Sequence, residues 1–296
     1  MDSNQEIKGL RNQYLAALAS SDSSLARYTV EQAQVQGIGI LRIYLDILVS
    51  SQIDIGEMWH EGKINIAQEH LATTITLDIM NKLSIESTPR KPHGYRAIVT
   101  PVEGDNHIIG ARMMGDFLKM DGWDVDFMGQ PTPPQDLVAY FKNRPSDIVA
   151  LSVTLTKFLP NVRETIDALR QIQPAPKILI GGLAVSNPNP SNGALGADSV
   201  SLDAIEGLSE ARRLVGLSEE KLTLDDHLVS IGQKIRSFRT NSRTTQQQLA
   251  NASGLDRTYI STVEQGKQNL TIGVLVKIAD ALDIQVSDLT SSQSDK

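Results

Sequence analysis

The chain has 296 residues, 40% hydrophobic and 21% charged, with a net charge of −7; this is ordinary globular composition over two or three domains and excludes wholesale disorder or binding of nucleic acid through overall charge. There is no cysteine, so disulfides, thiolate nucleophiles, iron–sulfur clusters and cysteine zinc sites are excluded, and His60, His70, His93, His107 and His227 remain as soft ligands. No apolar run approaches the ~20 residues of a membrane span, and the start MDSNQEIKG lacks a signal-peptide pattern, so a soluble cytoplasmic protein without membrane contact is the expectation.

Residues 1–88 carry apolar positions at helical spacing, as in Ile38–Val49 and Ile64–Met80, and predict a bundle of four or five helices. Ser87–Gly94 is rich in Pro, Gly and polar residues and reads as a linker. From there to residue 216, short apolar runs alternate with helical stretches. Strands are predicted at Arg96–Thr100, Trp123–Met128, Asp147–Val153, Lys177–Ile180 and Ala197–Ser201. Helices are predicted between them, from about His107 to Asp121, at Pro134–Asn143 and at Leu159–Gln173, and after them at Ala204–Val215. That alternation specifies a doubly wound parallel sheet of Rossmann-like, flavodoxin-like type over residues 89–216. Residues 217–296 then read as short helices only. The fold class is therefore multidomain, α followed by α/β followed by all-α.

The first strand ends in Thr100-Pro-Val-Glu-Gly-Asp-Asn-His-Ile-Ile-Gly110. A histidine just past the carboxyl end of a parallel strand points into the ligand crevice. Asp105, two residues earlier, can accept a proton from Nδ1 of His107, leaving Nε2 for a metal. Gly110 opens the helix start to a bulky group. Ser152 and Thr154 follow the third strand, and Gly181 and Gly182 the fourth. These three motifs, in this order, resemble the cobalamin-binding domain of methionine synthase, corrinoid mutases and corrinoid methyl carriers, over about residues 94–216. The resemblance implies that His107 is the lower cobalt ligand, that Ser152 and Thr154 contact the buried nucleotide tail, and that Gly181 and Gly182 leave room for it.

In the bundle, Trp59 is followed by His60 and, after nine residues, by Glu69 and His70, above Thr73 and Thr74 on the next turn. A flat ring with a carboxylate and an imidazole suits a nucleoside. The pattern resembles adenosylcobalamin-dependent photoreceptors of the CarH type. It implies that Trp59 packs on the 5′-deoxyadenosyl group and that Glu69 and His70 enclose it. His60 then takes the upper cobalt position after light breaks the cobalt–carbon bond.

Residues 245–267 pattern as a helix-turn-helix, with Leu249, Ala250, Ile260 and Val263 facing inward and Gly254 in the turn. They resemble the XRE/Cro-type repressors over about residues 228–290. The recognition helix would begin near Asp256. Arg257, Thr258 and Thr262 would face base edges, Gln246 backbone or base, and Tyr259, Lys267 and Asn269 phosphates. From Ile231 to Lys277 there are seven Lys/Arg against two acids, a modest basic surface. One copy of so weak a surface predicts a homo-oligomer, a dimer or tetramer, on a double-stranded operator. The photoreceptors usually carry an N-terminal MerR-type winged helix, whereas this chain has its DNA-binding pattern at the C-terminal end. The reading is a light-responsive, adenosylcobalamin-binding transcription regulator, not an enzyme. The alternatives are a sensor of adenosylcobalamin level, a corrinoid methyl carrier, and an antirepressor acting on a protein partner.

Overall fold

The computed structural model describes residues 3–185, 195–217, 224–242 and 244–290. The chain divides into two compact units, one ending at Leu217 and the other following it.

The first unit opens with α1 (Ser3–Ala19) and α2 (Ser23–Val35), the latter capped by the Asp22 side chain. A short α3 (Ile40–Arg42) runs through a π-helical segment, Ile43–Val49, into α4 (Ser50–His60). α5 (Ile66–Glu86) begins with a capping box between Asn65 and Gln68 and buries a stripe of Ala72, Ile75, Ile79, Met80 and Leu83. Five parallel strands follow, β1 (Arg96–Pro101), β2 (Asp124–Phe127), β3 (Ile148–Ser152), β4 (Lys177–Gly181) and β5 (Ser199–Val200), in the order β2-β1-β3-β4-β5. Helices α6 (Ile109–Met120), α7 (Pro134–Asn143), α8 (Leu159–Arg170) and α9 (Ala204–Leu214) complete it. The doubly wound sheet expected from the alternating pattern is present. β3 is buried along its whole length, because helices cover both faces of a parallel sheet. The register sets Ser152 opposite both Pro101 and Gly181, so the ends of β1, β3 and β4 line up where the order reverses.

The bundle and the sheet share a core. Met113 and Phe117 of α6 pack among Tyr44, Ile47, Leu48 and Met80 of the bundle, whereas Ala111 and Leu118 of the same helix face the sheet. The Tyr44 hydroxyl, with one hydrogen, has two acceptors at 3.0 Å, Met80 O and Asp116 Oδ2, and Arg112 Nε donates to the same carboxylate oxygen at 2.9 Å. Asp116 is buried, and replacing it by Ala takes the counter-charge from a half-buried guanidinium, while the Tyr44 hydroxyl keeps Met80 O. Asp116→Ala is expected to destabilise this unit by about 3 kcal/mol, and Tyr44→Phe by only about 1 kcal/mol, since Arg112 still holds the carboxylate. Both tryptophans, Trp59 and Trp123, lie in this unit, so denaturant unfolding followed by their fluorescence reads it separately. Equal losses in the two variants would show that the Arg112–Asp116 pair holds nothing.

The second unit comprises α10 (Leu224–Asn241), α11 (Gln246–Ser253), α12 (Arg257–Glu264), α13 (Ile272–Leu282) and α14 (Val286–Thr290). Its core is built from Ile235, Leu249, Ala250, Ile260, Val263, Ile278 and Leu289. Gly254 ends α11 in the left-handed conformation at φ 66°, and Asp256 caps α12 through Thr258 N. Among the described residues, no helix is long and apolar enough to cross a membrane.

Candidate functional site

His107 sits in the loop between β1 and α6, at the carboxyl edge of the sheet. Its Nδ1 lies 2.7 Å from Asp105 Oδ1, which also accepts from the His107 backbone N–H at 3.2 Å. Asp105 is fully buried. Its second oxygen accepts from Thr154 N at 2.6 Å and Leu155 N at 3.3 Å, beyond β3. Burial pushes the Asp105 carboxyl up, but the bonds from His107, Thr154 and Leu155 outweigh it and hold the group below its ordinary value. The Asp105 hydrogen bond in turn raises the His107 pKa against desolvation, and the nearby charge of Glu69 adds to the rise. The His107 side chain is half exposed, and Nε2 has no partner among the described residues.

A Cβ at Gly110 would stand 3.5 Å from Ser152 Oγ, and one at Gly181 would stand 3.2 Å from Ser201 Oγ. A Cβ at Gly207, inside α9, would meet Ser201 Oγ at 3.1 Å and Met114 Sδ at 3.2 Å. The absent side chains at these glycines let the strand ends and helices α6 and α9 approach closely around Ser152 and Ser201. Ser201, Gly207 and Met114 were not among the residues singled out from sequence; the clue to them is a glycine in a helix interior, where it costs about 1 kcal/mol against alanine. Gly182 has a reason of its own: its φ is +110°, and a Cβ would lie 2.3 Å from Val153 O.

These residues fit a corrinoid. The macrocycle brings its metal with four equatorial nitrogens, so the protein need supply one imidazole, held by a carboxylate in the tautomer that frees Nε2. Among the described residues, no cluster of three His, Asp or Glu is spaced to hold a bare metal ion.

In the bundle, α4 ends with Trp59 and His60, whose rings are 4.8 Å apart. Trp59 is 40% exposed, unusual for a residue of that area. Glu69 and His70 lie in the first turns of α5, with His70 exposed and its Nε2 3.8 Å from Glu69 Oε2. Of the other histidines, His93 packs against Tyr95 and, edge-on, Trp123; Trp123 is buried core, as expected. The side chain of His227 lies outside the described residues.

In the second unit, Arg257 and Thr258 are exposed on the first turn of α12, and Lys267 and Asn269 are exposed beyond it. Tyr259 is half-buried against the domain core. The Thr262 hydroxyl donates back to Thr258 O or Tyr259 O. Gln246 Nε2 donates to Glu264 Oε2 at 2.8 Å, so its amide is turned toward the protein.

Residues 95–210 match the family described as B12 binding domain, residues 10–84 match a second family of the same description, and residues 235–289 match the Helix-turn-helix family. Dimethylamine corrinoid protein 1 of Methanosarcina acetivorans is 25% identical over 173 residues, 57% of this chain and 80% of that protein. The HTH-type transcriptional repressor CarH of Myxococcus xanthus is 26% identical over 186 residues, 62% of this chain and 60% of that protein. The structure of the Methanosarcina barkeri monomethylamine corrinoid protein superposes with a TM-score of 0.61 at 19% identity, covering 70% of this chain and 99% of that one, a likeness of fold.

Proposed function

We infer that this chain, a CarH-like fusion of B12-binding domains and a helix-turn-helix domain, is a transcription regulator that responds to light through adenosylcobalamin. The observation that carries the reading is His107, oriented by buried Asp105 at the carboxyl edge of the sheet, in a chain that also holds a DNA-binding fold.

His107 would hold the cofactor from below, and the aligned strand ends at Ser152 and Gly181 would lie along its tail. Thr154 contributes its backbone N–H to the orientation of Asp105. When bound, adenosylcobalamin supplies a cobalt–carbon bond that light breaks. The chain's own part is to enclose the upper group between Trp59, Glu69 and His70 and to hold His60 in reserve against the Trp59 ring. Removing what covers Trp59 frees His60 to turn toward the lower histidine. Since the bundle and α6 share one core, such a turn strains their packing, which is how a ligand change becomes a change of arrangement. In the second unit, Arg257, Thr258 and Thr262 would read bases, with Tyr259, Lys267 and Asn269 on the phosphates, while Gln246 would meet backbone or a base only on leaving Glu264. One helix-turn-helix reads a half-site, so the operator-bound form is a homo-oligomer. The corrinoid carriers share the sensor architecture, but a carrier has no use for the helix-turn-helix, and a non-enzymatic regulator is the better reading.

The test is the absorption spectrum and gel-filtration volume of protein loaded with adenosylcobalamin, in the dark and after green light. Both should change on illumination. His60→Ala should bind in the dark but lose the light-state spectrum of two axial imidazoles. An unchanged spectrum in the wild type sinks the light reading and leaves a sensor of cobalamin level.

A further inference from the structure

Glu69 is the end of a chain of side-chain hydrogen bonds that runs into the middle of the bundle. Its Oε1 lies 3.1 Å from Thr73 Oγ1, and Thr73 Oγ1 lies 3.3 Å from Gln52 Oε1. Gln52 Nε2 donates to Ala72 O at 2.9 Å and to Thr76 Oγ1 at 2.6 Å, and Thr76 Oγ1 lies 2.8 Å from the hydroxyl of Tyr14. Tyr14 and Thr76 are fully buried. Gln52 is on α4, seven residues and about two turns before Trp59 and so on the same side of that helix.

The proton count makes this network specific. The Gln52 amide nitrogen has two hydrogens, and both are committed, so its oxygen is the atom facing Thr73. The Thr73 hydroxyl has one hydrogen and two acceptors within reach, Gln52 Oε1 and Glu69 Oε1. An ionised carboxylate can only accept. It takes the Thr73 proton when nothing else donates to it, and can share it when a ligand hydroxyl arrives. Gln52, anchored to the α5 backbone at Ala72, keeps the threonine in place in both conditions.

We propose that Thr73 and Gln52 are positioning residues that hold the Glu69 carboxylate toward the upper face of the corrin. They thereby set the preference for an upper group that carries a vicinal diol, such as ribose, over a methyl group. This rests on the reading above that Glu69 faces the upper ligand. A diol offers two O–H donors to one carboxylate only if the carboxylate is held still; a methyl group offers none, and its binding does not depend on Glu69.

The experiment titrates the full chain in the dark with adenosylcobalamin and with methylcobalamin, following absorbance and tryptophan fluorescence, in the wild type, Thr73→Val, Thr73→Ser, Gln52→Leu and Glu69→Gln. Thr73→Val and Gln52→Leu should each lower the preference for adenosylcobalamin about tenfold, the size of one charge-assisted hydrogen bond, with methylcobalamin affinity within twofold of wild type. Thr73→Ser should restore the preference. If Glu69→Gln loses the preference but Thr73→Val and Gln52→Leu keep it, the proposal is overturned while Glu69 keeps its place. If Glu69→Gln also keeps the preference, the reading of Glu69 falls, and the proposal with it. Equal weakening of both cobalamins by Thr73→Val, without rescue by serine, would mean a packing role only and would equally overturn it.

Discussion

Replacing Asp105 by Ala is expected to cost the sensor unit about 3 kcal/mol and to weaken cobalamin binding by 10- to 100-fold. The first figure follows from what the carboxylate does in the apo fold. It ties the loop after β1 to the loop after β3 by accepting three backbone N–H groups, of His107, Thr154 and Leu155, from a fully buried position. Alanine leaves those donors without partners. The second figure follows from His107, which loses the group that fixes its tautomer and its direction. Asp105→Asn separates the two effects. If the amide oxygen keeps Thr154 and Leu155, the amide NH2 faces His107 Nδ1, which must then accept. The proton moves to Nε2, the nitrogen that the proposed role of His107 as cobalt ligand needs free. Asp105→Asn should therefore unfold closer to wild type than Asp105→Ala but bind cobalamin as poorly. Unfolding followed by tryptophan fluorescence and a cobalamin titration of the same samples give both numbers. Wild-type affinity in Asp105→Asn, with the spectrum of an imidazole below the cobalt, would show that Asp105 serves the loop and not the ligand.

The same carboxylate shows what the linear chain reveals and what it conceals. Asp105 and His107 are two residues apart, so their pairing is a local matter that spacing alone discloses. Thr154 and Leu155 join it from about fifty residues away through the β1–β3 register. Ser152 and Gly181 belong to separate motifs, and parallel strand order brings them side by side. Strand–helix alternation was legible because period and punctuation are local properties. The π-helical segment Ile43–Val49 was not, since its apolar residues fit an ordinary helical stripe. Nor was the Gln52–Thr73–Glu69 network, whose members sit on two helices and look like solvated polar positions. Tyr44 and Asp116 are 72 residues apart, in parts of the chain read as separate domains, and they share a buried hydrogen bond. Gly182 illustrates the opposite case: a motif position credited to the ligand that the backbone requires by itself.

Glu264, one of the two acids between Ile231 and Lys277, has a side chain only 3% exposed and forms the polar centre of the second unit. Both its oxygens take the Arg239 guanidinium, at 2.5 and 3.0 Å, and Oε2 also accepts from Gln246. Arg239 further donates to Thr244 O at 2.8 Å, just before α11. One pair thus joins the end of α10, the start of α11 and the last residue of α12. Glu264→Ala leaves a guanidinium only 11% exposed without its counter-charge, at a cost of about 3–5 kcal/mol. A helical unit of this size has a stability of about 3–10 kcal/mol, so the variant should lose much of its helix signal near physiological temperature and its DNA binding with it. Tryptophan fluorescence, which reports only the sensor unit, should not change. The double variant Arg239→Met, Glu264→Leu removes both charges and refills their volume, and should recover most of the stability. Recovery of folding without recovery of DNA affinity would assign the pair to geometry, because the salt bridge and its Gln246 bond set the angle at which α12 leaves α11. Recovery of both would reduce the pair to packing. A Glu264→Ala variant as stable as wild type by circular dichroism would contradict the whole account of this core.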